Sequence, residues 1–161
     1  MKNKSLRYLT QGAIIAALYV ALTYLANLLG LASGTIQCRL SEALCVIACF
    51  TPAAIPGLYI GCLLSNILTG CMFLDILLGP VATLIGALGT WWLRKNPYLA
   101  VIPPILANMI IVPFVLQYAY GVEDAFYFLM LTVGVGEIIS CGVLGILLYH
   151  ALNRYRGPLG F

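Results

Sequence analysis

The chain has 161 residues, of which 63% are hydrophobic and 8% charged, with a net charge of +3 and a mean hydropathy of +1.04. Soluble domains carry roughly 25% charged residues, so the composition excludes a soluble globular protein and implies an integral membrane one. The positive charge is not gathered into a basic face with interleaved aromatics, which excludes a nucleic-acid surface.

Residues 8–29 form the first apolar run, preceded by Lys2, Lys4 and Arg7. A basic start followed by an apolar stretch resembles a signal peptide. This one is long enough to span, has no clear cleavage site and is followed by further spans, so it is read as retained. Ala13, Ala17 and Ala21 recur at i, i+4 along it and leave a smooth stripe, either for a partner helix or for internal packing.

After a loop holding Gln37, residues 39–70 are ambiguous. Pro52, Pro56 and Gly57 argue for a turn, hence two short helices, 39–51 and 57–70, instead of one. The basic residues arbitrate. Two clear spans follow, 75–93 and 97–117, with Arg94 and Lys95 between them. Two crossings in 39–70 put that pair on the same side as the N-terminus, as the positive-inside rule requires. The last span, 126–152, ends at Arg154 and Arg156 on that side too. The expectation is an all-α membrane protein, one domain over 1–161, with six transmembrane helices and both termini cytoplasmic.

The charges then partition. Seven of eight basic residues fall on the cytoplasmic side, and Glu42, Asp75, Glu123, Asp124 and Glu137 fall in the outer half with Arg39. Residues 39–51 reach only about 20 Å at 1.5 Å per residue, against a hydrocarbon core of roughly 30 Å. Arg39 and Glu42 are therefore expected on the floor of an outward-facing depression, with Glu137 near mid-membrane.

Ionisable groups at such depth are costly and usually functional. Arg39 and Glu42, at i, i+3, can pair with each other or present Glu42 to a polar ligand, and Ser41 can cap the helix start. Glu137 must be protonated, paired with Arg39 or used by a ligand. Asn66, Asn108 and Gln37 offer amides to a heterocycle edge, or bond between helices. Asp75 serves a helix start or the pocket rim. Tyr118, Tyr120 and Tyr127 form an interfacial belt or a lid that stacks on a planar ligand, and Trp91 and Trp92 anchor the other interface. Ala82, Gly86 and Gly89 make a second small-residue face.

Six cysteines without a CxxC, and His150 as the only histidine, disfavour a metal site, so the cysteines read as packing. No P-loop, nucleophile elbow or H-E-x-x-H occurs, so the chain itself hydrolyses no nucleotide through a P-loop and no cofactor is expected.

The stretch Ile36-Gln37-Cys38-Arg39-Leu40-Ser41-Glu42-Ala43-Leu44 resembles the signature of the QueT family. Further matches are Pro56 to Cys62 leading to Asn66, Asp75 to Gly79 with Thr83, Asn108, and Gly136-Glu137. The resemblance implies a substrate-binding (S) component of an energy-coupling factor (ECF) transporter, with an S-component-like bundle in the bacterial cell membrane. It also implies uptake of queuosine precursors, which are deazaguanines. The implied partners are one transmembrane subunit and two ATPases that use the ATP, and Ala13, Ala17 and Ala21 fit the family-type docking surface. Glu137 and Glu42 become candidates for the ligand's N–H edge and for an aminomethyl cation, in either order. Gln37, Asn66 or Asn108 would serve its carbonyl and ring nitrogens, Tyr118 or Tyr120 would stack on it, and Arg39 would orient Glu42. The rival readings are a proton-coupled secondary transporter titrating Glu137, and a membrane-embedded acid–base enzyme.

Overall fold

The structure, a computed structural model, describes residues 2–31 and 38–155, with the backbone alone at residues 2 and 3. The described residues are all helical, without strands. Helix α1 (Lys2–Leu28) leads into a 3₁₀ helix (Leu40–Cys49), followed by α2 (Ala54–Leu68), α3 (Phe73–Trp92), the short α4 (Pro97–Ala100) and α5 (Ile102–Tyr118). The last helical run is α6 (Phe126–Glu137), a π-helical stretch (Ile138–Leu144) and α7 (Gly145–Arg154), joined without a break. Four stretches are long and apolar enough to cross a membrane: Lys4–Leu28, Phe73–Trp92, Pro97–Tyr118 and Phe126–Arg154. The 3₁₀ helix and α2 are apolar but shorter.

Side chains such as Leu9, Leu28, Phe73, Leu131 and Leu147 are more than 60% exposed. In water that surface would aggregate, whereas lipid solvates it. With lipid outside, burying Leu against Leu gains little, and helices associate through close backbone approach instead. Gly57 and Gly61 on α2, spaced i, i+4, supply that approach to α1. A Cβ on Gly57 would lie 2.7 Å from the Gly12 carbonyl oxygen, and one on Gly61 would lie 2.7 Å from Tyr19 Cβ. Helices α3 and α5 close in the same way, since a Cβ on Gly86 would lie 2.7 Å from Pro104. The Ala82, Gly86 and Gly89 face is therefore internal. Ala13, Ala17 and Ala21 are exposed, so their row points away from the bundle.

The 3₁₀ helix is the hub. It touches α1, α2, α3, α4, α7 and the π-helical stretch, and every residue from Ser41 to Ala48 is buried. An α-helix was expected at 39–51. A segment enclosed on all sides has no polar face to impose a 3.6-residue period. The 3₁₀ form also covers more distance per residue, about 2.0 Å against 1.5 Å. Its ten residues thus reach about 20 Å, which the sequence reading assigned to thirteen.

The chain shuttles between two ends of the body. At one end, Tyr8 donates to the Pro52 carbonyl (3.2 Å), the Phe50 and Tyr149 rings meet (5.0 Å between centroids), and Tyr98 and His150 are 3.4 Å apart. Arg94 lies there too, its guanidinium 3.8 Å over the centre of the Trp91 ring. At the other end, Tyr24 donates to the Leu68 carbonyl and the Met72 amide to Tyr120 Oη.

Candidate functional site

At this second end the links between helices frame a cavity of about 270 Å³, just below the roughly 300–1,000 Å³ usual for small-molecule sites. Its α1 wall is Tyr19, Thr23 and Ala26, and its α5 wall is Val112, Val115 and Leu116. Between them stand Arg39 and Ser41 at the head of the 3₁₀ helix, Asn66 from α2, Asp75 from α3, and Tyr120.

The polar side of this cavity is built around Asp75. Arg39 Nη2 lies 3.5 Å from Asp75 Oδ1, and Tyr120 Oη donates to Asp75 Oδ2 at 3.2 Å. Partial burial pushes the Tyr120 phenol up to about 12, so it keeps the proton it donates. Asn66 Nδ2 donates to the Asp75 carbonyl at 2.9 Å, which ties α2 to α3. Gly79 makes room for this, because a Cβ there would lie 2.7 Å from Asn66 Nδ2 and 3.1 Å from Asp75 Oδ1. The pairing expected at i, i+3 between Arg39 and Glu42 does not form. Arg39 precedes the helix in extended backbone, at φ −91° and ψ 92°, and reaches Asp75, while Glu42 turns inward.

Glu42 lies beneath the cavity, fully buried. Tyr19 and Thr83 donate to its Oε1 and Cys45 to its Oε2, the Thr83 contact at 3.2 Å and the Cys45 contact at 3.2 Å. Residues i and i+3 eclipse in a 3₁₀ helix, which sets Cys45 directly over Glu42. Ser41 does not cap the helix; its hydroxyl bonds Thr23 at 3.0 Å. Deeper still, Asn108 and Glu137 are buried side by side. By strict hydrogen-bond geometry neither amide atom of Asn108 nor Glu137 Oε2 is paired, although the two side chains lie close enough to interact with each other. The π-helical stretch begins at the residue after Glu137.

Of the residues singled out in the sequence, the structure thus gathers Arg39, Asn66, Asp75 and Tyr120 on one cavity and stacks Glu42, Asn108 and Glu137 below it. Tyr118 is elsewhere. It is 75% exposed and stacks on Phe114, as Tyr127 at 82% is also turned outward. Gln37 lies outside the described residues. Tyr19 and Thr23 escaped the sequence reading, Thr83 entered it only through the family resemblance and Cys45 only as packing, since a hydroxyl or thiol inside an apolar run carries no signal until its neighbour is known. Among the described residues no group of three or more His, Cys, Asp or Glu is placed to hold a metal.

The chain matches the family described as QueT transporter over residues 9–154. It belongs to that family. A curated protein called "Queuosine precursor transporter QueT", from Lactococcus lactis subsp. cremoris (strain MG1363), is 41% identical over 73 residues. The match covers 45% of this chain and 43% of that relative, so the chain spans less than half the length of the relative it matches. No solved structure matches. QueT proteins are transporters and not enzymes, which sets aside the acid–base catalyst as a reading of Glu42 and Glu137.

Proposed function

We propose that this QueT-family chain is the substrate-binding subunit of an energy-coupling factor importer in a bacterial plasma membrane. It takes up a queuosine precursor of the 7-deazaguanine class and works with a partner module of one transmembrane subunit and two ATPases. In this reading the chain crosses the membrane six times with both termini cytoplasmic, so that the cavity faces outward.

The observation that carries the reading is the closed floor. Tyr19 lines the cavity with Arg39 and Asp75, Glu42 does not reach it, and past Glu42 the hub continues through Leu44, Val46, Ile47 and Ala48, each at most 7% exposed. A chain with a small polar cup and a packed apolar base binds a ligand at one face but offers it no path through. Delivery then needs an outside source of motion, and the exposed Ala13, Ala17 and Ala21 row offers a helix a surface of close approach. Arg39, Asp75, Asn66 and Tyr120 supply donors and acceptors for a flat, polar heterocycle, with apolar walls from α5 for its faces.

Equilibrium binding of 7-deazaguanines and ordinary purines to the purified chain tests this directly. Selective binding of deazaguanines, without chemical change to them, supports the reading; no binding by folded protein overturns it. The orphaned oxygen of Glu137 favours one rival, a proton-coupled carrier. Uptake that survives collapse of the proton gradient while ATP is held constant rules that rival out.

A further inference from the structure

A second hollow, apart from the polar cavity, lies on the lipid-facing side of α1 and α2. It runs from Tyr8 and Pro56 at one end to Val20 and Leu64 at the other and encloses about 490 Å³. Gly12 and Gly57 form its floor by letting the two backbones approach, a Cβ on Gly57 lying 2.7 Å from the Gly12 carbonyl oxygen. No charged residue lines it. The hydroxyl of Tyr8 is engaged by the Pro52 carbonyl at 3.2 Å, so the side chains offer a ligand carbon alone. That excludes a polar solute.

Length and width narrow the choice further. From Tyr8 to Val20 the groove follows α1 for about 18 Å. One leaflet of hydrocarbon is about 15 Å deep, half of the bilayer core. Spread along that length, the volume corresponds to a mean cross-section of roughly 27 Å². An α-helix is about 10–12 Å across with its side chains, so it lies over such a groove and does not sink into it. A single extended hydrocarbon chain fits. No hydrophobic gain drives the chain there from lipid, but an unfilled groove forfeits dispersion contacts along both walls, and the chain restores them.

The mouth of the groove identifies what the chain is attached to. Tyr8 lies at the end of the body that also carries Trp92 and Tyr98, which are 84% and 61% exposed, as residues at headgroup level are. Lys4 stands one turn farther out on α1, exposed and on the Tyr8 side of the helix. Arg7 and Arg94 belong to the same end. Its acidic complement is missing among the described residues. Asp75, Glu123 and Asp124 lie towards the opposite end, Glu42 and Glu137 are interior, and the one ion pair, Arg39 with Asp75, is at the cavity. We propose that this groove binds an anionic phospholipid, one acyl chain lying between α1 and α2 and the phosphate-bearing headgroup against Lys4. Each cation near a membrane surface favours an anionic lipid about fivefold. The site belongs to the chain on its own in a bilayer and stands apart from the substrate reading.

Full-length protein in phosphatidylcholine nanodiscs, doped with phosphatidylglycerol carrying a photoreactive diazirine in one acyl chain, provides the test. A phosphatidylcholine probe with the same diazirine runs in parallel, and mass spectrometry maps the labelled residues. Label is expected to concentrate on residues 9–20 and 56–64, about fivefold more strongly from the anionic probe. Ala13→Leu, which fills the groove, is expected to cut that labelling about tenfold. Ala151→Leu adds the same bulk at an exposed position on α7 and is expected to leave it unchanged. Lys4→Gln is expected to remove most of the preference for the anionic probe. Label spread evenly over every lipid-facing helix, or equal labelling of the groove by both probes, overturns the proposal in the parent protein alone, whether or not the variants fold. A groove shielded from both probes by a second copy of the chain, seen as a cross-linked dimer, overturns it too. So does folded Ala13→Leu that labels as strongly as the parent.

Discussion

The hydroxyl of Tyr19 on α1 donates to Oε1 of Glu42 on the 3₁₀ helix, and the same Tyr19 side chain lines the cavity, which Glu42 does not. One side chain thus performs two tasks, holding a buried carboxylate and lining the cavity. The bond also fixes α1 against the hub at a depth where lipid cannot compensate for its loss.

Tyr19→Phe keeps the ring and removes only the donor. Glu42 retains Thr83 and Cys45, the second a weak thiol donor. A hydrogen bond to a charged group contributes about 1.5–3 kcal/mol, so the variant is expected to melt several degrees below the parent in the same detergent. An unchanged melting temperature would mean that Glu42 does not depend on Tyr19, and the two-task reading of that ring would go with it.

Arg39 and Asp75 make the second such relationship, and here the prediction concerns coupling. Removing one partner of a fully buried ion pair costs about 3–5 kcal/mol; with the Arg39 side chain 21% exposed, each single loss here is expected to be smaller. Arg39→Gln leaves Asp75 Oδ1 facing no cation, with Tyr120 as the side-chain donor to Oδ2. Asp75→Asn leaves the guanidinium alone in the cavity wall. Denaturation of both single variants and the double variant should give a coupling energy of about 1–3 kcal/mol. Simple additivity would make the 3.5 Å approach incidental.

The long apolar runs were legible because twenty-residue hydropathy needs no knowledge of neighbours. The expected 75–93 and 126–152 became Phe73–Trp92 and Phe126–Arg154. The short pieces were legible as pieces only. Pro52 and Pro56 marked the break, but nothing in Leu40 to Cys49 declares a 3₁₀ winding, because a segment buried on every side lacks the face that periodicity reports. The same limit governed the site. Charge at depth pointed to Arg39, Glu42, Asp75 and Glu137, yet which of them meet depends on backbone direction. Arg39 turned away from Glu42 before the helix began. Tyr118 and Tyr120 looked equivalent in the sequence, but the chain leaves α5 between them, so one faces outward and the other reaches Asp75.

Close approach between α1 and α2 yields a steric prediction with its own control. A methyl group at Gly57 would collide with the Gly12 carbonyl oxygen at 2.7 Å, and backbone cannot swing aside as a side chain can. Gly57→Ala is expected to destabilise by about 1–3 kcal/mol. At Gly142 the nearest atoms to an added Cβ are Ile105 Cδ1 and Ile138 Cγ2, both at 3.8 Å. Gly142→Ala is therefore expected to be neutral or slightly stabilising, because helical Gly is unfavourable by about 1 kcal/mol relative to Ala. Thermal melts of the two variants side by side decide this; equal losses would show that α1 and α2 do not meet as described.

Under the proposed function, a substitution in the alanine row on α1 should separate ligand binding from delivery. Ala13 and Ala17 border an apolar groove of about 490 Å³ between α1 and α2, with Gly12, Gly57, Ile60 and Leu64 around it. Ala17 is exposed, so Ala17→Leu adds bulk on the lipid side without entering the bundle or the cavity. Stability and deazaguanine affinity should match the parent. If a partner helix lies in this groove, the added branch forces it away, and overpacking of about 1–3 kcal/mol is enough to cut complex formation roughly tenfold. The measurement pairs binding by purified protein with uptake by cells carrying the ATPase module. Binding retained with uptake lost locates the partner on this face. Normal uptake by Ala17→Leu moves the docking surface elsewhere and leaves the alanine row as a lipid-facing stripe.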